Sequence, residues 1–532
     1  MFKYVLKKFF SQAGSYFFVL MTLLSFVITS INPFLNGKFI DFLVYNINVD
    51  KIFCFSVLIM LVGILGVLIS YFTNVQSIKI MNNTSFGLLH ETLKDIEHTK
   101  LNIIEKIDSS YMTQKLISDV NLISNFVIAN FITVFLNILA IIGIIGIFLY
   151  VDTQLLIIAI LLLIPYIFIY AKIKNPLYTA FVKKKEAESC YFSDIYSQIN
   201  QVFNIQINSS FDESSSFIQK AYFNYFPNII NAGKLGYLFT SADTMIAILF
   251  QSIMFVYGGI CIINKQMSIG EFTMINTYFS LLLKTIKYYI NYFKDYQDAK
   301  VSYQRVCEIK SYEKMKNGEI TTENISNIYI KSLSFSFENR RTLFNNISYY
   351  LEKGHIYTVI GSNGSGKSTL LKIMLMLYED YQGEILVNGV NIKNINMKNA
   401  RKTNYAVVPQ KLFAQSVKTI DFLNQKHTIL QEEKKSLFSE DIIKFIDKPM
   451  NLLSGGELRK LYLNIAFSNN KDVIILDEPT TELDVNSKIE FINYLKQKKQ
   501  ESLILIITHD KDLVSLSDNV IHIEDYKSKE KE

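Results

Sequence analysis

Apolar and polar positions follow two different patterns along this chain. Up to about residue 300, apolar stretches lie near 16-35, 52-72, 125-150, 154-173, 238-263 and 271-294. A helix crossing a hydrocarbon core of roughly 30 Å needs about 20 such residues, so six membrane spans are predicted. Lys3, Lys7 and Lys8 precede the first span as they would a signal peptide, but no small-residue cleavage site follows, and the span is read as retained. In the connections 74-124 and 172-237, apolar residues recur at helical spacing, from Leu88 to Ile96 and from Phe192 to Phe203. The membrane helices are therefore expected to continue as long rods that end in a turn, and a rod tip is a natural contact for another domain.

Near Lys310 the pattern changes. Lys310, Glu313, Lys314, Lys316 and Gly318 mark a polar linker, placed at 311-325. Ile328 to Phe337 alternates as a strand does, whereas Ile356 to Ile360, Val473 to Leu476 and Leu503 to Ile507 are short, wholly apolar runs that suit strands buried on both faces. The expected division is a membrane domain over 1-310, the linker, and a soluble domain over 326-532.

Charge sets the orientation of the spans. With the N-terminus in the cytoplasm, 15 lysines fall on the cytoplasmic side and 3 outside, namely Lys38, Lys51 and Lys265. The positive-inside rule favours that arrangement, and it puts everything after residue 295 in the cytoplasm. The composition agrees with a chain half in lipid: 50% hydrophobic and 19% charged residues over 532 positions, with a mean hydropathy of +0.21. A net charge of +6 without lysine blocks interleaved with aromatics speaks against nucleic acid as a partner. Cys54, Cys190, Cys261 and Cys307 are too scattered for a disulfide framework or a zinc site and are expected to be four buried thiols. With Trp absent, interfacial anchoring falls to tyrosines such as Tyr16, Tyr150, Tyr170 and Tyr257.

Ionisable groups at membrane depth are costly and face either a partner, a water-filled cavity or the headgroups. Lys284 and Lys287, one turn apart in the sixth span, either snorkel to the inner headgroups or line a substrate cavity with Asp243 as counter-charge. Pro33 and Pro165 are expected at kinks in their spans.

The soluble part carries the chemistry. Gly361, Ser362, Asn363, Gly364, Ser365, Gly366, Lys367, Ser368 and Thr369 satisfy G-x-x-x-x-G-K-[ST] between a strand-like and a helix-like run. Glycines there let backbone N–H groups curl around phosphate oxygens, and the following helix points its N-terminus at the anion. Lys367 then reaches the β and γ phosphates, and Ser368 offers a hydroxyl to Mg²⁺. Val473 to Leu476 ends in Asp477 and Glu478, at the strand end where ligands bind a parallel sheet. Asp477 is placed to meet Mg²⁺ and Glu478 to orient or deprotonate a water. Leu503 to Ile507 ends in Thr508 and His509, and His509 at the same edge is a candidate for bonding the γ-phosphate.

Leu453-Ser454-Gly455-Gly456-Glu457 joins these motifs, and together they resemble the nucleotide-binding domain of an ATP-binding cassette (ABC) transporter. Six preceding spans with long cytoplasmic extensions resemble the exporter type in its half-transporter form. The resemblance implies a membrane all-α six-helix domain followed by an α/β P-loop NTPase domain, with ATP and Mg²⁺ as cofactors. It also implies that Phe337 stacks on adenine, that Gln410 senses Mg²⁺ and the membrane domain, and that Ser454, Gly455 and Gly456 close over ATP of the opposite subunit. Asp484, ending Thr481-Glu482-Leu483-Asp484, is assigned to the dimer interface. Ser109 to Asp119 resembles the first coupling helix, and Ile205 to Glu213 is expected to hold the second.

Several positions depart from the pattern. The stretch from Gln410 to Ser454 is short, Ile446-Asp447-Lys448-Pro449-Met450 replaces an acidic-Arg-Gly sequence, the signature ends in Glu457, and Asp510 follows His509. The function implied is ATP-driven export of a peptide, lipid or hydrophobic small molecule across the plasma membrane. The partner is a second copy of the chain or a related half-transporter, within membrane lipid. No peptidase domain precedes the first span, so leader-peptide cleavage is not expected. Uptake of a chelated metal or peptide, and a non-transporting ATP-dependent sensor, are the alternatives.

Overall fold

The computed structural model describes residues 2–45, 49–107, 109–337, 342–426, 437–468 and 470–526. The chain forms two compact units, one of residues 1–92 and 113–308, the other of residues 93–112 and 309–532. The second unit thus borrows a stretch of some twenty residues from between two membrane helices.

The first unit is all helix. Its long helices are Ser15–Tyr45, Val49–Glu97, Thr153–Asn200, Phe211–Ile263 and Ile269–Ser311, of 31, 49, 48, 53 and 43 residues. At 1.5 Å per residue, a 49-residue helix runs about 74 Å, more than twice the hydrocarbon thickness, as the rods predicted from the apolar spacing require. Ser109–Asn130 and Thr133–Val151 complete the set. Among the described residues, five helical stretches are long and apolar enough to cross a membrane: Ser15–Tyr45, Val49–Glu97, Leu116–Val151, Thr153–Asn200 and Thr244–Ile263. The expected sixth, Ile269–Ser311, has the length but not the hydropathy, since Asn276, Lys284, Lys287 and Asn291 interrupt it. Pro33 and Pro165 lie inside helices, as do Pro176 and Pro227.

Phe148, Phe250, Met254, Tyr278 and Phe279 form the core of this unit, with the rings of Phe250 and Phe279 stacked at 3.5 Å. Outward-facing residues such as Leu61, Ile142 and Leu161 are exposed, which suits helices whose solvent is lipid. The cysteine expectation holds only for Cys261. Cys54 is exposed on an apolar stretch where a small apolar group needs no protein core, and Cys190 and Cys307 are exposed on parts of the rods beyond the apolar runs. Tyr16 and Tyr150 are exposed, as anchors would be, whereas the Tyr257 hydroxyl donates to Asp152 Oδ2 at 2.9 Å and to Gln154 Oε1 at 2.7 Å.

Lys284 is exposed and Lys287 half-buried, while the Asp243 side chain lies outside the described residues. A polar contact not foreseen from sequence joins the first and last long helices. Asp41 Oδ1 accepts from Gly270 N and Oδ2 from Ser268 Oγ, both at 2.7 Å, at the start of Ile269–Ser311. A Cβ on Gly270 would sit 2.0 Å from the Gly37 carbonyl, so the two backbones touch there.

The second unit combines two sheets. Strands β1 (Asn327–Ser336), β2 (Thr342–Glu352), β4 (Gln382–Val387) and β5 (Val390–Asn391) make an antiparallel sheet in the order β2-β1-β4-β5. Strands β3 (Ile356–Ile360), β6 (Tyr405–Val408), β7 (Val473–Asp477), β8 (Leu503–Ile507) and β9 (Asn519–His522) make a parallel sheet in the order β6-β7-β8-β3-β9. The apolar runs are explained by two cores, one on each face. Val473, Ile475, Leu503, Leu505 and Ile507 point to one core, and Ile474, Leu476, Ile504 and Ile506 to the other. The helix Lys367–Met374 fills the first core and Gly455–Ser468 the second.

Candidate active site

Parallel pairing aligns the strand ends. Val359 and Asp477 both pair with Ile507, and Val408 pairs with Leu476, so the residues after β3, β6, β7 and β8 emerge along one edge of the sheet. Residues scattered over 361-509 of the sequence therefore meet.

The turn after β3 curls through Gly361 to Gly366, and Gly364 and Gly366 have φ of +78° and +102°, a region that excludes most side chains. A Cβ on Gly366 would also strike Leu343 Cδ2 at 2.7 Å. Inside this loop Lys367 Nζ donates to the Gly361 carbonyl and, at 3.1 Å, to the Ser362 carbonyl, and it stands 3.1 Å from His509 Nε2. Ser368 Oγ donates to Asp477 Oδ2 at 3.0 Å. Glu478 accepts from Thr508 Oγ1 at 3.2 Å, and its Oε1 lies 4.0 Å from His509 Nε2. Five predicted residues, Lys367, Ser368, Asp477, Glu478 and His509, thus form one polar group.

Electrostatics and strain mark the same place. Burial raises Asp477 above the ordinary carboxylate value and Glu478 adds to the rise, while the Ser368 bond, Lys367 and Arg459 oppose it. Glu478 holds φ at +48°, a conformation costing a non-glycine residue about 1–3 kcal/mol and typical of functional sites. Ser365 is 1% exposed, and its hydroxyl has no protein partner among the described residues. A donor set of ammonium, imidazole, buried hydroxyl and loop N–H groups, beside a carboxylate already bonded to Ser368, fits a phosphate chain with its cation.

The other predicted residues surround this group. Phe337 meets Phe335 and Tyr378 edge-on at 5.0 Å and 5.9 Å. Gln410 is fixed through its backbone, since Arg459 Nη2 donates to its carbonyl at 2.8 Å and Nη1 to that of Pro409 at 3.1 Å. Arg459, 2% exposed, was missed in the sequence. Burial lowers its pKa, and Glu482, Asp477 and Glu478 pull it back up. Asn363 and Gly364 are exposed in the loop, and Thr369 is partly buried at the start of the helix.

Ser454 begins the helix Gly455–Ser468 with a capping box: Glu457 N donates to Ser454 Oγ at 3.3 Å, and Ser454 N donates to Glu457 Oε2 at 2.8 Å. The Ser454 amide is the largest cause holding Glu457 below its ordinary value. The S-x-x-E spacing was legible in the sequence and accounts for Glu457 physically. Asp484 caps the helix Val485–Lys498 by accepting from Ser487 N at 2.8 Å, which with Lys460 holds its carboxyl well below the usual range. Its side chain is 58% exposed.

The coupling assignment needs correcting. Ser109 to Asp119 opens a 22-residue helix, Ser109–Asn130, and Asp119 is buried in the membrane unit, accepting from Arg305 Nε at 2.7 Å and Ser302 Oγ at 2.9 Å. The assignment rested on resemblance alone, and the charge of Asp119 is met by an arginine distant in sequence. The short helix between rods is Leu101–Ile104, inside the second unit. There Leu101 packs on the core beneath the P-loop helix, and Glu105 accepts from Lys372 Nζ at 2.7 Å and from the Tyr378 hydroxyl. Lys100 pairs with Glu313 at 2.7 Å. The second short helix, Val202–Asn208, overlaps the expected Ile205 to Glu213 stretch only over residues 205–208.

Comparison with known proteins agrees with this geometry. Residues 344–481 match the family described as ABC transporter, and residues 16–286 match the ABC transporter transmembrane region. The chain belongs to the ABC transporter family, with both parts fused in one multi-pass polypeptide. It is 26% identical over 333 residues to an ATP-dependent lipid A-core flippase of Haemophilus influenzae, covering 58% of this chain and 56% of that one. It is 25% identical over 354 residues to the microcin-J25 export ATP-binding/permease protein McjD of Escherichia coli, covering 61% and 59%. These alignments span just over half the length of the curated relatives. The fold is shared with a bacterial Atm1-family ABC exporter solved with ATP bound, at a TM-score of 0.78 and 15% identity, covering 95% of this chain and 92% of that one.

Proposed function

We propose that the chain is one half of an ATP-driven exporter, paired with a second copy or a related half-transporter in the plasma membrane, its N-terminus and ATPase unit cytoplasmic. The observation that carries this reading is the meeting of Lys367, Ser368, Asp477, Glu478 and His509 at one sheet edge in a chain that also supplies membrane-crossing helices. The lysine asymmetry supports the orientation.

Each residue has a task that follows from its surroundings. Lys367 Nζ exchanges the Gly361 and Ser362 carbonyls for β- and γ-phosphate oxygens. Ser368 Oγ, Asp477 and Gln410 are the residues that would hold Mg²⁺, whose charge offsets that of the phosphates. Glu478, partly buried and fixed by Thr508, takes the proton of an attacking water at its carboxylate, and His509 donates toward the γ-phosphate. Phe337 offers a ring face to adenine. Ser454, Gly455, Gly456 and the exposed Asp484 belong to the surface presented to the opposite subunit. The segment 93–112 carries nucleotide-driven movement toward the membrane helices with which it is continuous.

The relatives handle a lipid A-core and a microcin, so the cargo proposed here is an amphipathic lipid or peptide. Purified protein in lipid vesicles tests the reading. Inside-out vesicles should accumulate such cargo with ATP, and Glu478→Gln should abolish ATP turnover while nucleotide binding persists. Normal turnover in that variant would refute the role of Glu478.

A further inference from the structure

The loop after β7 carries an acidic residue that the reaction above does not use. Glu482 is exposed, holds φ at +69°, and lays its side chain on the first turn of the helix Gly455–Ser468. A Cβ on Gly455 would fall 2.2 Å from Glu482 Oε2 and 2.6 Å from its Cδ, and one on Gly456 2.7 Å from the Glu482 carbonyl oxygen. Only glycines at both positions allow this approach. The signature glycines therefore accommodate a carboxylate of their own chain.

The electrostatics favour that placement. The first turn of a helix has N–H groups without intrahelical partners and a partial positive charge, so it attracts an anion. Glu457 already serves the Ser454 N–H in the capping box, which leaves Glu482 as a second carboxylate on the outer face of the turn. Below it the buried Arg459 guanidinium attracts Glu482 more than it does either Asp477 or Glu478. A glutamate at φ +69° pays in backbone strain for its position, and strain of this kind is found at switching segments.

We propose that Glu482 is an internal competitor of the γ-phosphate. It covers the signature turn while the two ATPase units are apart and has to withdraw before the turn can receive the terminal phosphate of a nucleotide held by the opposite subunit. This rests on the reading of an ATP sandwich between two chains. A carboxylate held against the turn repels an approaching γ-phosphate, so Glu482 raises the ATP concentration needed for closure. A nucleotide without a γ-phosphate does not meet Glu482 and escapes the competition.

The full-length protein in lipid nanodiscs provides the test, as wild type, Glu482→Gln and Glu482→Ala. Glutamine keeps the shape and backbone of the site and removes only the charge. The half-saturating ATP concentration for hydrolysis should fall about five-fold or more in both variants, while the inhibition constant of ADP stays unchanged. An unchanged ATP dependence, equal shifts for ATP and ADP, or a shift in Glu482→Ala alone would overturn the proposal. ATP turnover left unchanged by Ser454→Arg in the signature would instead overturn the sandwich reading, and this inference with it.

Discussion

Removing Glu105 should loosen the short helix Leu101–Ile104 from the ATPase core by a predictable amount. Glu105 receives two bonds of different worth. Lys372 and Glu105 side chains are 35% and 41% exposed, so their ion pair contributes only about 0.5 kcal/mol. Tyr378 is buried, stacked on Phe335, and its hydroxyl donates to the charged carboxylate, a bond worth about 1.5 kcal/mol. Both donors hold Glu105 below its ordinary value although burial works the other way. Glu105→Ala should therefore cost about 2 kcal/mol of local docking, or about a thirty-fold rise in the open population at 1.4 kcal/mol per factor of ten. Amide hydrogen exchange measures this directly at Glu105, whose N–H donates to the Leu101 carbonyl at 2.9 Å. Tyr378→Phe alone should raise exchange about ten-fold, and the double variant should add little to Glu105→Ala, because both changes remove the same bond. Full additivity of the two effects would show that the bond does not hold the segment, and the reasoning would fail.

Two further outcomes follow from the ATPase unit. Glu457→Gln, which keeps the capping box but removes the charge, should destabilise less than Glu457→Ala, which should lose about 1 kcal/mol, or some 2–4 °C in the midpoint of that unit by differential scanning calorimetry; equal effects would deny the cap. Asp472 is held below its ordinary value despite burial by Lys353 at 2.8 Å, Asn404 at 2.9 Å and the Ile325 amide at 3.1 Å. A lowered folded value means that its stabilisation is complete above the unfolded carboxylate value of about 4 and is lost as pH falls through the folded value. Asp472→Asn should thus destabilise at pH 7 and converge on wild type in acid, and a difference independent of pH would refute the assignment.

The phosphate loop, the carboxylate pair and His509 were legible because their identity lies in contiguous residues whose local form, strand then loop then helix, is set by neighbours in sequence. The rods were legible from apolar spacing that outruns a bilayer. Arg459, Glu482, Glu105 and Asp41 were not, since each acts on a partner reached through packing: the Gln410 carbonyl, the Gly455 turn, Tyr378 and the Gly270 amide. A charged residue reads as surface in a sequence until the fold encloses it, as it does Arg459.

By itself, then, the order of residues determined two kinds of solvent, the helices that suit lipid, and a triphosphate-binding motif, because periodicity and short motifs are local properties. Only the tertiary structure decided that segment 93–112 packs with the ATPase rather than with the helices on either side, that Asp119 serves Arg305 instead of a coupling turn, and that a glutamate rests on the signature glycines. Those outcomes depend on which distant groups meet, and meeting is fixed by strand register and helix packing.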